Sequence, residues 1–195
     1  QLAQGAYTAF PRAQAVEMTA EVYSAWAQSL VAQAEGQPAE KASALRAEAR
    51  KRYRLAGDSY WRLAGLQLAS RNYPDLLWQS ASAYFDGQDY PKAIGALRKY
   101  LENELQKRQP QALVRLGEAL LATGQLDKGL DVLRQCAAEY PRDAAAYRAR
   151  LLAARAFLEQ AKFDQAEKLL QKNLAGDHLA PASKEWRDSL MTLGV

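Results

Sequence analysis

His178, Cys136 and a row of arginines are the residues whose types could do chemistry here, and each also has a quieter reading. His178 closes the stretch Asn173-Leu-Ala-Gly-Asp-His178 and could act as an acid or base near neutral pH. With no serine or cysteine in a recognisable nucleophile setting, an exposed loop histidine is the preferred reading. Cys136 could be a reactive thiol, but it stands seven residues after Gly129 on the inward side of a helical pattern. That placement favours a buried structural cysteine. One histidine and one cysteine cannot supply a typical zinc site, and a single cysteine cannot form an internal disulfide. Gly57, Gly65, Gly87, Gly117, Gly124 and Gly129 are scattered rather than gathered into a phosphate loop. No catalytic residue, metal or cofactor is expected.

Charge offers the next candidate. The formal net charge of +4 is unevenly placed: Lys41, Arg46, Arg50, Lys51, Arg52, Arg54, Arg62 and Arg71 face only Glu40, Glu48 and Asp58 between Ala39 and Asn72. Arg46, Arg50 and Arg54 are four residues apart, and the row continues through Asp58 to Arg62, so these side chains share one helix face. It could receive an acidic partner, although a solvated charged face is the preferred reading. The basic excess lies on one predicted helix and lacks the aromatic interleaving of a base-stacking platform, so nucleic acid ranks below protein as a partner.

The elements that must position these residues are helices. A chain of 195 residues, 49% hydrophobic and 25% charged, can bury a sizeable core. No run of about 18 apolar residues occurs, so no membrane insertion by this segment is expected. The opening Gln-Leu-Ala-Gln-Gly has neither an initiator Met nor a signal core, and reads as a cut end. Ala13 to Ala34 reads as a helix with Val16, Ala20, Tyr23, Ala27, Leu30 and Ala34 on one stripe, stopped by Gly36 and Pro38. From Ala39 to Asn72 the stripe Leu45, Ala49, Tyr53, Ala56, Tyr60, Leu63, Gln67 keeps phase through Gly57, which favours one long helix. The rival is a break at Gly57 with Asp58 capping a second helix.

Beyond Pro74 one spacing appears three times. Ala81 to Ala93, Gly117 to Gly129 and Ala154 to Ala166 are each twelve residues apart, with Tyr90, Leu126 and Phe163 three before the second small residue and Leu97, Leu133 and Leu170 four after it. Turns fall at Asp86-Gly-Gln-Asp89, Thr123-Gly-Gln125 and Gln160-Ala-Lys162, the third being the least typical. Pro74 and Pro141 disfavour continuation of the helices before them, and Asp75 and Asp143 are positioned to cap the next. Small residues at the repeated positions let helix axes approach, and each helix pair exposes an apolar face that only the next can cover.

The stretch Leu113-Val-Arg-Leu-Gly-Glu-Ala-Leu120, followed by Gly129, Leu133 and Pro141, resembles a tetratricopeptide repeat. That family's pattern is Trp-x2-Leu-Gly-x2-Tyr, then Ala-x3-Phe, then Pro. Leucine replaces the first and third aromatics here, and Gly129 replaces the alanine. The resemblance implies an all-α, right-handed α-solenoid of helix-turn-helix repeats carrying an N-terminal long-helix hairpin. The expected parts are the hairpin over 1–73, three repeats over about 74–109, 110–146 and 147–176, and a truncated fourth repeat over 177–195 acting as a cap. Pro181, Ser183 and Trp186 open that last helix, and Leu190-Met-Thr-Leu-Gly194 repeats the form of Leu113-Val-Arg-Leu-Gly117.

The same resemblance implies a non-enzymatic scaffold that holds a peptide or partner protein in a concave groove lined by the first helix of each repeat. The groove-facing positions are then Trp78, Ser82 and Phe85 in the first repeat, Arg115, Glu118 and Leu121 in the second, and Arg148, Leu151, Arg155 and Glu159 in the third. Trp78 and Phe85 lie seven residues apart on one helix face, where they could anchor a partner or be covered by the N-terminal helices; both readings stand. Arg148 and Arg155 share a face that could attract an acidic group. Trp78 and Ser82 occupy the places of the first Lys and Asn of the clamp with which some family members grip chaperone C-termini, so that activity does not carry over. The structural alternative is self-association, or packing within a larger envelope-associated protein. Bacterial relatives of this composition often stand behind a membrane anchor, which leans toward the soluble domain of such a protein.

Overall fold

A computed structural model describes residues 2–104, 107–175 and 183–194, with side chains from Arg12 onward. Among these residues all regular structure is helical: α1 (Leu2–Ala34), α2 (Ala39–Leu66), α3 (Tyr73–Asp86), α4 (Tyr90–Asn103), α5 (Gln109–Ala122), α6 (Leu126–Glu139), α7 (Ala144–Glu159), α8 (Phe163–Leu174) and α9 (Lys184–Leu193). His178 and Pro181 lie outside the described residues. The chain divides into two compact units, 1–104 and 105–195. The first holds α3 and α4 together with the N-terminal hairpin.

In the first unit α1 packs on α2, α2 on α3, and α3 on α4. The long hairpin is sealed by alanines seven residues apart, Ala20, Ala27 and Ala34 on α1 and Ala42, Ala49 and Ala56 on α2, all buried. Small side chains at a seven-residue repeat let two helices lie close over their length. α2 runs unbroken through Gly57, so Asp58 caps nothing. Its glycine is a contact residue: a Cβ there would come within 2.6 Å of the Tyr84 ring. α2 ends at Leu66, short of the expected Asn72, and two turns lead to α3. α3 begins at Tyr73 with Pro74 in its first turn. Asp75 therefore lies inside the helix instead of capping it. An acid there still favours the positive end of the helix dipole.

The second unit packs α5 on α6 and α7, α7 on α8, and α8 and α7 on α9. At the α5–α6 crossing, a Cβ on Gly117 would meet Leu133 at 2.6 Å, and one on Gly129 would meet the Gly117 carbonyl at 3.1 Å. A side chain at either glycine would require Leu133 or Leu121 to shift and the two backbones to part by a few tenths of an ångström. Leu151, Ala154, Ala166 and Leu170 form the α7–α8 core. Asp143 caps α7 by accepting from the Ala145 N–H at 2.8 Å, and Ser183 caps α9 through the Trp186 N–H.

The α3–α4, α5–α6 and α7–α8 turns share one closure. Gln88, Gly124 and Ala161 adopt left-handed φ of 54°, 75° and 57°. The next residue's N–H then reaches back over the last helical turn, from Asp89 to Tyr84 O, Gln125 to Leu120 O and Lys162 to Phe157 O, at 2.8–2.9 Å. This is the Schellman closure, in which a left-handed residue satisfies carbonyls that the helix end leaves open. Only one of the three positions holds glycine.

Candidate protein-interaction surfaces

In the first unit, Trp78 and Ser82 of α3 line a depression of about 200 Å³ together with Ser24 and Gln28 of α1 and Tyr53 and Tyr60 of α2. The N-terminal hairpin thus walls the face that carries Trp78 without filling it. The indole is half-buried, its ring 5.4 Å from the buried Tyr100 of α4. Phe85, three residues further on than Ser82, is turned elsewhere: its ring meets Tyr90 edge-on at 5.7 Å, across its own hairpin. Phe85 is not among the residues that line the depression at Trp78. Burial, with the Asp86 carboxylate nearby, raises the Tyr53 phenol above its usual pKa and keeps it a neutral donor at the same wall.

In the second unit, α5, α7 and α9 surround a depression of about 240 Å³ lined by Gln111, Val114, Arg115, Ala144, Ala145, Arg148 and Glu185. Arg115 and Arg148 therefore meet at one site. Arg148 also pairs with Glu118, Nη2 to carboxylate 3.1 Å, so two of the residues read as groove-facing are joined to each other and tie α5 to α7. Arg155 and Glu159 lie exposed further along α7. Leu151 departs from the sequence reading: it is 2% exposed and belongs to the α7–α8 core. Leu121 is half-buried, its Cδ2 2.8 Å from where a Gly129 Cβ would stand, so it fills the α5–α6 crossing.

The polar network in the core of the second unit carried no periodic signal. Arg150 is 4% exposed, donates from Nε to Asn173 Oδ1 at 2.6 Å, and lies 4.4 Å from the Tyr147 ring. Asn173 donates in turn to the Tyr147 carbonyl and the Ser189 hydroxyl, and Ser189 donates to the Glu185 carbonyl. Burial lowers the proton affinity of the guanidinium. This network joins α7, α8 and α9. In the first unit two members of the arginine row reach the end of α3 while Arg46 and Arg62 stay exposed: Arg54 Nε donates to the Gly87 carbonyl at 2.8 Å and Arg50 to Gln88 Oε1 at 3.2 Å. Cations belong there, because the open carbonyls and the negative end of the dipole are at a helix C-terminus. Asp58 continues the row, accepting from the Tyr84 hydroxyl at 2.8 Å and Lys92 Nζ at 2.7 Å. Burial and that carboxylate push the Tyr84 phenol up, while the Asp58 bond raises Lys92.

Cys136 is fully buried, its Sγ 3.5 Å from the Pro110 carbonyl, and burial pushes its thiol up to about 12. It is a packing residue. Among the described residues no cluster of His, Cys, Asp or Glu could hold a metal, and no helix is long and apolar enough to cross a membrane.

Comparison with known proteins agrees with this architecture. The family model of the anaphase-promoting complex, cyclosome, subunit 3 matches residues 86–173. Among solved structures, the MamA RS-1 ArsTM double mutant is 20% identical, covering 90% of this chain and 94% of its own, with a TM-score of 0.52. A putative kinesin light chain from Podosopora anserina with nearly identical TPR-like repeats is 17% identical, covering 87% of this chain and 91% of its own, also at 0.52. No curated protein matches. At these identities the structural likeness speaks to fold. Helical hairpins with small residues at their crossings, the matched family model and these neighbours agree in an all-α helical-repeat fold similar to that of tetratricopeptide-like repeats.

Proposed function

We propose that the chain is a non-enzymatic interaction scaffold that holds a peptide or partner protein on the faces of its first helices. The observation that carries this reading is the depression between α5, α7 and α9, where Arg115 and Arg148 stand with Gln111 and Val114. Val114 and Ala145 with Arg115, Arg148 and Glu185 around them suit a segment that presents a polar or charged side chain beside an aliphatic one. Exposed Arg155 and Glu159 extend the polar rim along α7. In the first unit Trp78 and Ser82 offer the corresponding face of α3, narrowed by the N-terminal hairpin. Helices already packed on one another keep these groups in place, so little ordering cost falls on binding.

The test is affinity capture from the source organism with the whole chain and with an Arg115→Ala, Arg148→Ala variant whose helicity is checked by circular dichroism. A protein retained by the parent and lost by the folded variant supports the reading. Retention of the same proteins by both, or of none by either, removes it. A second reading, self-association, is favoured by Met18 and Val22, which lie exposed one turn apart on α1. Light scattering across concentrations separates the two.

A further inference from the structure

The first unit carries a second groove, on the side of α3 away from Trp78 and Ser82. Its floor is Tyr73, Leu77 and Tyr84, which recur at the spacing of one helix face, and its walls are α2 and α4. It consists of two depressions, of about 320 and 90 Å³, that share Trp61. This indole is 39% exposed and Leu68 beyond it 63% exposed, so large apolar surface stands open at both.

The charges of this groove do not cancel. Its carboxylate, Asp58, is already bonded to the Tyr84 hydroxyl and Lys92. Lys99 Nζ lies 5.6 Å above the Trp61 ring at the junction of the two depressions, and no carboxylate among the described residues pairs with it. An ammonium held over an indole and left without a carboxylate suits an acidic group that brings apolar surface with it.

The glycines of the walls agree. Gly95 lies in the middle of α4 and Gly65 near the end of α2; both are exposed, and a Cβ added to either would meet nothing within 4 Å. Neither has the left-handed φ that would call for glycine. Glycine is a poor helix former, and the folded unit has no packing use for it at these sites. Leaving out the side chain keeps the walls low where another backbone could approach.

We propose that this groove takes an amphipathic helix of a partner protein, with its apolar side chains on Trp61, Tyr84 and Leu68 and a carboxylate paired with Lys99. The helical stretch from Asp58 to Leu66 measures about 12 Å, with Leu68 just beyond it, so about three turns of partner suffice, with anchors at i, i+3 or i+4, and i+7.

The probe is a displayed library of helical peptides randomised on one face, selected on the whole chain, with the enriched peptides measured by fluorescence anisotropy. Enrichment of sequences carrying Asp or Glu beside that apolar spacing is expected. Lys99→Glu, Trp61→Ala and Gly95→Leu should each weaken them by about tenfold or more, while Arg148→Ala leaves them unchanged. Gly95→Ala supplies the control for folding: it should raise the thermal midpoint and still weaken the peptide. Failure of the library to enrich, binding indifferent to Lys99→Glu and Gly95→Leu, or binding lost with Arg148→Ala would each overturn the proposal. The last outcome would return the peptides to the α5–α7–α9 site.

Discussion

Each unit pins one hairpin on its neighbour with polar side chains, but the two do so at different depths. In the first unit, Asp58 with Tyr84 and Lys92 works at the surface; the Asp58 and Lys92 side chains are 49% and 50% exposed. In the second, Arg150, Asn173 and Ser189 do so in the core, where Asn173 and Ser189 are fully buried. Water can replace a partner at the first site and cannot at the second. The number of hydrogen bonds is therefore a poor guide to their worth. What decides is whether a group that loses its partner can be solvated.

Substitutions that remove one partner at a time sharpen this contrast. Asn173→Ala leaves Arg150 Nε and the Ser189 hydroxyl without their buried partner, and should cost about 3 kcal/mol in urea unfolding. Asp58→Ala frees the half-exposed Lys92 to water, leaves the Tyr84 hydroxyl at the edge of the core without its carboxylate, and should cost about 1 kcal/mol. Glu118→Gln, which weakens the half-exposed pair with Arg148, should cost about 0.5 kcal/mol or less, and added salt should shrink even that. Equal losses at Asn173 and Asp58 would break the comparison and show that burial is not what separates the two sites.

The difference in depth also explains what could be read from the chain. Ala81, Ala93, Gly117, Gly129, Ala154 and Ala166 repeat because each occupies a helix crossing, and a crossing imposes its spacing on the sequence. The hairpins were legible for that reason. Arg150, Asn173 and Ser189 are brought together by tertiary packing between different helices, and their separations of 23 and 16 residues match no helical period. The arginine row was legible as a face, but the bonds of Arg50 and Arg54 depended on where the end of α3 would fall. Leu151 was placed in the groove because helix phase alone does not say how far α8 wraps around α7. The charges of Arg115 and Arg148 were visible singly; their meeting depends on the packing of α5, α7 and α9.

Within each unit, every helix packs on helices that are its immediate or next neighbours along the chain. Chain closure is therefore short-range throughout, and such contacts form quickly because little entropy is lost in bringing their ends together. It also means that opening can proceed one hairpin at a time, so amide protons of α9, packed mainly on α7 and α8, should exchange with solvent through openings smaller than global unfolding.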